Sequence, residues 1–259
     1  MERKGLIPYD PSGNMPASYG EVQPSGFWKR ITFGWQNKIF QVGKPEDGNF
    51  QREITFEPIF RYSGIKRNFE NDWDPNAENV RPTCYSLDGK NGSVPQITRV
   101  LANGREAVCY GECGPCAFNQ WKSKNLWKPP TQDFKPGNAK QCSQYTLILA
   151  MYMGEVVVIQ IPSTGVESVN DGIQLVVTQK DKRFEEVRWQ LVGTGGGFQG
   201  KYMKINPMGF LTGEEITKLN LQRAQCHAQF EKTVLNFAQG GSDEEETPTT
   251  INGSNVVDA

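Results

Sequence analysis

The sequence predicts a mainly β protein, a small barrel interrupted by a cysteine-rich insertion and followed by a C-terminal helix. Three observations carry that expectation. Gly (27) and Pro (16) make up about a sixth of the 259 residues, which favours turns and short strands over long helices. Apolar and polar residues alternate with period two in several stretches, and one stretch near the C-terminus has helical capping and spacing. The apolar fraction is only 37%, but 28 aromatic residues supply bulky groups for a core.

Residues 1–26 read as an extended arm, because Pro and Gly interrupt every period. From Phe27, "FWKRITFGWQNKIFQVGK" places Phe27, Ile31, Phe33, Trp35 and Ile39 on one side and Arg30, Thr32, Gln36 and Lys38 on the other. That predicts a β-hairpin turning near Gln36-Asn37. "EITFEPIF" repeats the alternation, and Pro58 makes it an edge strand or the site of a bulge. Residues 63–142 hold many turn formers and little periodicity, an excursion that needs something besides apolar burial to order it.

After Cys142, "YTLILAMY", "EVVVIQIP", "IQLVVTQ" and "EVRWQLVG" read as strands, giving at least six in all. The helix is "LTGEEITKLNLQRAQCHAQFEKTVLNF". Thr212 and Glu215 form a capping box, Ile216, Leu219, Phe230, Val234 and Phe237 are its burial positions, and Gly240-Gly241 ends it. The domain reading is an arm (1–26), a barrel core (27–211) carrying the excursion (63–142), a helix (212–239) and an acidic tail (240–259). Closing short strands into an OB-like Greek-key barrel removes exposed edges; a β-sandwich is the alternative.

The charge is uneven. Residues 242–259 hold five acids (Asp243, Glu244, Glu245, Glu246 and Asp258) and no Lys or Arg; set against a whole-chain charge of −1, they leave the body at +4. Such a tail is either a solvated end or an interaction segment competing with a polyanion. No run of seven apolar residues opens the chain and no window approaches a membrane span. The expectation is a soluble cytoplasmic protein whose six cysteines stay reduced.

Reduced cysteines at these spacings point to metal. Cys113 and Cys116 stand two residues apart around Gly114-Pro115, a hairpin from which two thiolates reach one ion. A structural Zn²⁺ needs four such ligands, and Cys84 and Cys142 lie at the two ends of the irregular region. Cys109 is the spare, either replacing Cys84 or simply buried, and Cys226 reads as a core residue. Metal binding of this kind contributes on the order of 10 kcal/mol to local folding. "CGPC" is also a thiol-oxidoreductase tetrapeptide, but it lies outside any βαβ context here.

Catalytic signatures are absent from the sequence. His227 is the single histidine, no P-loop occurs, and "GTGGGFQG" reads as a loop, so no enzyme activity is expected. Aromatics interleaved with cations do recur. One cluster is Trp28, Lys29, Arg30, Trp35 and Lys38; a second is Arg61, Tyr62, Lys66 and Arg67; a third is Trp121, Lys122, Lys124, Trp127 and Lys128. Rings that stack on bases and cations that follow phosphates are the ingredients of single-strand nucleic-acid binding.

The chain resembles a group of tailed-bacteriophage proteins taken to be zinc-containing single-stranded DNA-binding proteins. "CYSLDG" (84–89), "CGPCAFNQWKS" (113–123, with Ala117 where the pattern has Pro) and "KPGNAKQC" (135–142) ahead of "YTLILAMY" carry the resemblance. It spans roughly Arg30 to Val192. It implies Cys84, Cys113, Cys116 and Cys142 as zinc ligands, a role in phage DNA replication or recombination in the host cytoplasm, and recruitment of replication proteins by the acidic tail. A zinc-stabilised protein–protein adaptor of a replication or virion complex is the alternative, and homo-oligomerisation is compatible with either.

Overall fold

The computed structural model describes residues 28–34, 38–44, 47–70, 81–101, 104–124, 140–194 and 202–240. Among them, eleven strands and two α-helices follow in the order β1 (Lys29–Gly34), β2 (Ile39–Val42), β3 (Phe50–Gln51), β4 (Glu53–Asn68), β5 (Cys84–Ser86), β6 (Ile97–Val100), β7 (Glu106–Cys109), β8 (Cys142–Tyr152), β9 (Glu155–Ile161), α1 (Ser163–Lys180), β10 (Val187–Gly193), β11 (Met203–Phe210) and α2 (Gly213–Gln239). The fold is mostly β, as expected.

Nine of the strands form one sheet in the order β11-β10-β4-β8-β9-β1-β2-β3, with β5 added alongside β4; β6 and β7 make a separate hairpin. All pairings are antiparallel except β1 with β9. The sheet curls into a half-barrel. Gly193, ending β10, meets the β1–β2 hairpin so closely that a Cβ there would lie 2.0 Å from the Lys38 carbonyl oxygen. One continuous curled sheet replaces the two stacked sheets that a sandwich would need.

Both faces of the sheet are covered. Successive side chains on a strand point to opposite faces, and on β8 they divide between two cores. Ile148 and Ala150 pack inside the curl with Ile31, Phe56, Ile159 and Trp189, where α1 closes the space through Val166, Val169, Ile173 and Val176. Leu147 and Leu149 point outward, against α2 through Leu219, Cys226, Phe230, Val234 and Phe237. Each such side chain contributes roughly 1.5–3 kcal/mol of burial, so a two-faced central strand is well anchored.

The capping box at α2 forms as read. Thr212 Oγ1 accepts from Glu215 N at 3.3 Å, Glu215 Oε2 accepts from Thr212 N at 2.7 Å, and Gly240 ends the helix with φ 76°. Arg188 bridges Glu57 and Glu215, both at 2.6 Å, and ties the start of α2 to β4 and β10.

Three expectations need correction. "IQLVVTQ" is the second half of helix α1, not a strand. Asp171-Gly172 looks like a turn, but Gly172 is needed where α1 lies on β11: a Cβ there would come within 2.5 Å of Ile205. Pro58 sits in an interior strand between β10 and β8, where a register shift between Pro58 and Phe60 absorbs it, so the bulge holds and the edge position does not. The irregular region is also shorter than expected. β4 runs on to Asn68, and β5 and the β6–β7 hairpin occupy part of 81–109. The turn at Gln36-Asn37, the N-terminal arm, most of the glycine loop and the acidic tail lie outside the described residues.

Candidate metal centre and nucleic-acid interface

Strand register brings the outlying cysteines together. Asn68, the last residue of β4, pairs with Cys84 on β5 to one side and with Cys142 on β8 to the other. The Cys113–Cys116 elbow folds back onto this end of the sheet. The amide of Gly92 donates to Gly111 O at 2.6 Å, and that of Cys113 to Lys90 O at 2.6 Å. Asn119 Nδ2 donates to Cys113 O at 2.7 Å, bracing the elbow from the short 3₁₀ turn at Ala117–Asn119.

Cys84, Cys113, Cys116 and Cys142 consequently line one small cavity of about 20 Å³, with Asn68, Gly92, Tyr110 and Lys66 in its wall. That volume suits one water-sized species and no organic substrate. Among the described residues, no three His, Cys, Asp or Glu side chains are drawn up as a metal-holding group. The four thiols share the cavity without closing to that arrangement.

The surroundings nonetheless fit a thiophilic cation. The donor set is four sulfurs, the chemistry of a structural zinc site. Tyr110 N donates to Cys116 Sγ at 3.2 Å, a donor aimed at sulfur. The Asn68 carboxamide is 1% exposed, and neither its nitrogen nor its oxygen has a hydrogen-bond partner. Burial pushes the Cys142 thiol up to about 12, with Cys116, Cys84 and Cys113 adding to the shift. Burial also raises Cys113, while a Ser86 hydrogen bond and the nearby Lys66 ammonium work against it. Thiolates crowded together in a half-dry site need a cation to become stable. Cys109 is buried but does not line the cavity; it packs with Leu101, Tyr110, Cys116 and Phe118.

A second polar knot secures the insertion. Tyr110 donates its hydroxyl to Glu70, and Arg99 pairs with the same carboxylate at 2.7 Å. Ser123 Oγ donates to Phe118 O at 2.8 Å and accepts from Gln141 N at 2.9 Å, joining the elbow to the start of β8. Sequence reading missed these residues because each is an ordinary polar side chain whose partner is remote in the chain.

The aromatic and basic residues are not gathered on one surface. Trp121, two residues beyond Asn119 of the cavity wall, is 73% exposed with Lys140 Nζ 5.4 Å from its ring centre, and Lys122 and Lys124 are exposed next to it in the chain. Lys66 donates its ammonium to Gly89 O at 2.8 Å and faces the cavity. Trp28 and Tyr62 are half-buried beneath α2, with Trp28 6.4 Å from Phe230. Arg30 and Arg67 meet at the far end of α2, both over the Phe237 ring. Arg61 turns to the other face, onto Asn170 and the Phe184 ring. Lys29 pairs with Glu155 at 2.8 Å, and Lys38 forms the β1–β2 connection with φ 57°. Trp35, Trp127 and Lys128 lie outside the described residues.

Comparison with protein families, with characterised proteins and with solved structures finds no match to this chain. Among the described residues no helix is long and apolar enough to cross a membrane.

Proposed function

We propose that this chain is a non-enzymatic single-stranded DNA-binding protein of phage replication or recombination, with one structural zinc held by Cys84, Cys113, Cys116 and Cys142. The observation that supports it most is the meeting of four thiols, from three separate stretches of chain, at one ion-sized cavity; a short way along the chain from its wall residue Asn119, Trp121 is exposed with Lys140 at its ring. The motif resemblance runs through the same residues. Bound zinc would supply no bond-making chemistry, only cross-linking of the insertion to the sheet. The protein's own groups would do the binding: Trp121 offers a face on which a base stacks, and Lys122, Lys124 and Lys140 lie where phosphates of the same strand would pass. The acidic residues 243–246 would compete with the strand for these cations and recruit replication proteins when displaced.

Titration of fluorescent oligo-dT tests the reading. Tight binding at low salt that weakens steeply as salt rises supports it, because each neutralised phosphate releases counterions. No binding at low salt removes it. Deleting residues 242–259 should raise the affinity.

A zinc-stabilised adaptor is the second reading. It is favoured by the sheet edge, where Met208 and Phe210 on β11 are each more than half exposed. An adaptor would bind no oligonucleotide with or without its tail.

A further inference from the structure

Asn68 brings an unanswered amide to the cysteine cavity. Its carboxamide is 1% exposed and lines the cavity, and neither Nδ2 nor Oδ1 has a hydrogen-bond partner. Buried amides are almost always paired, because an unmet donor or acceptor keeps its full desolvation cost. Strand register identifies the groups within reach. Asn68 stands directly opposite Cys84 on β5 and Cys142 on β8. Side chains directly opposite one another project from the same face of a sheet, with Cβ atoms about 4.5–5.5 Å apart.

The four sulfurs are not equally provided for. Cys116 Sγ accepts from Tyr110 N at 3.2 Å, and Cys84 Sγ accepts from Ser93 Oγ at 3.9 Å. Ser86 stands within hydrogen-bonding reach of Cys113. Cys142 Sγ has no donor among the described residues. Four thiolates around one divalent cation carry negative charge in excess, and N–H donors to sulfur disperse it. The sulfur without a donor thus lies opposite the amide without an acceptor.

We infer that Asn68 is a positioning residue of the proposed metal centre, its Nδ2 donating to Cys142 Sγ when the thiolates hold zinc. This role rests on the zinc reading above. With four sulfurs the zinc shell is full, so the amide acts on a ligand and not on the metal. Oδ1 can accept from the Lys66 ammonium, two residues earlier on the same face of β4. Lys66 also lines the cavity, donates to Gly89 O at 2.8 Å and keeps further N–H donors.

The wild-type chain itself gives the first test. The reduced full chain is loaded with a magnetic cadmium isotope as a zinc substitute, and the Asn68 side-chain amide, assigned through the backbone, is followed by NMR. The expected result is a downfield shift of one Asn68 N–H and a proton–cadmium coupling carried across the N–H···S bond. Asn68→Leu gives the second test, since it keeps the branching and removes both polar ends. Zinc affinity, measured against a chromogenic chelator, should fall about 10–100-fold. The metal-free variant should resist urea as well as wild type or better, because two buried unmet groups are gone. Lower metal-free stability with unchanged zinc affinity would make the amide a packing group and overturn the role. Cadmium-loaded protein whose Asn68 N–H signals neither move nor couple would also overturn it, and would leave the four-thiolate centre standing. Wild type that takes up neither zinc nor cadmium removes the metal centre and this role together.

Discussion

Gly92 stands against the sulfur of Cys84: a Cβ on this glycine would lie 2.9 Å from Cys84 Sγ and 2.9 Å from Gly111 O. The glycine is therefore required by what it touches. Gly92→Ala should push Cys84 away from the other thiols and cost about 1–3 kcal/mol of overpacking strain. Urea unfolding and zinc analysis measure both effects. Wild-type stability together with an unchanged content of the proposed zinc would refute the tight contact.

Chelation gives a second expectation. Removing the proposed zinc, or changing Cys142 to Ser, should loosen residues 81–124 before the half-barrel, since little apolar burial besides the Leu101, Tyr110 and Phe118 cluster holds that segment. Hydrogen exchange read by mass spectrometry should show faster exchange in the insertion and little change in β8 and β9. Uniform loss of protection across the chain would contradict it.

If the chain binds single strands as proposed, Trp121→Ala should weaken oligo-dT binding by about 1–3 kcal/mol, the worth of one stacked base. Because the side chain is 73% exposed, melting should hardly move. Unchanged affinity would remove Trp121 from the interface.

Asp88 provides a pH test. Its carboxylate accepts from the amides of Asn91 and Lys90, from Asn91 Nδ2 and from Ser86 Oγ, and these bonds hold it far below its ordinary value of 3.8. A depressed carboxylate stabilises the fold above its unfolded pKa, and that contribution fades as pH falls through the folded value. The stability gap between wild type and Asp88→Asn should thus be full near neutrality and narrow below about pH 4. A gap independent of pH would show that charge on Asp88 is immaterial.

Helix capping is the plainest case. Thr212→Ala should cost about 1 kcal/mol. Chemical denaturation followed by circular dichroism reads it directly, and Thr212→Ser should retain most of the stability.

Much of this architecture is legible from local pattern, and what escapes is set by contacts made elsewhere. The α2 cap and its buried face are written in Thr212, Glu215 and residues spaced three or four apart. The β1–β2 pairing is written in strict alternation from Ile31 to Phe33. α1 escapes because Pro162 offers no side-chain cap, β-branched Ile173, Val176 and Val177 imitate a strand, and Gly172 is explained only by Ile205 across the interface. At the candidate site, cysteine spacing points to the four residues that share the cavity, whereas Asn68, Gly92 and Tyr110 become visible only through register and turn geometry. The aromatic–cation clusters were adjacent in sequence and are dispersed in space, since strand alternation sends neighbours such as Arg61 and Tyr62 to opposite faces.

β4 is a sixteen-residue strand whose first four residues pair with β10 and whose far end carries Asn68 between two of the cysteines. A rail shared in this way couples the appendage to the half-barrel. Force applied at the sulfur-rich tip would travel down a hydrogen-bonded ladder broken by two register shifts, at Pro58/Phe60 and Ser63/Ile65, and so reach the staves of the barrel itself.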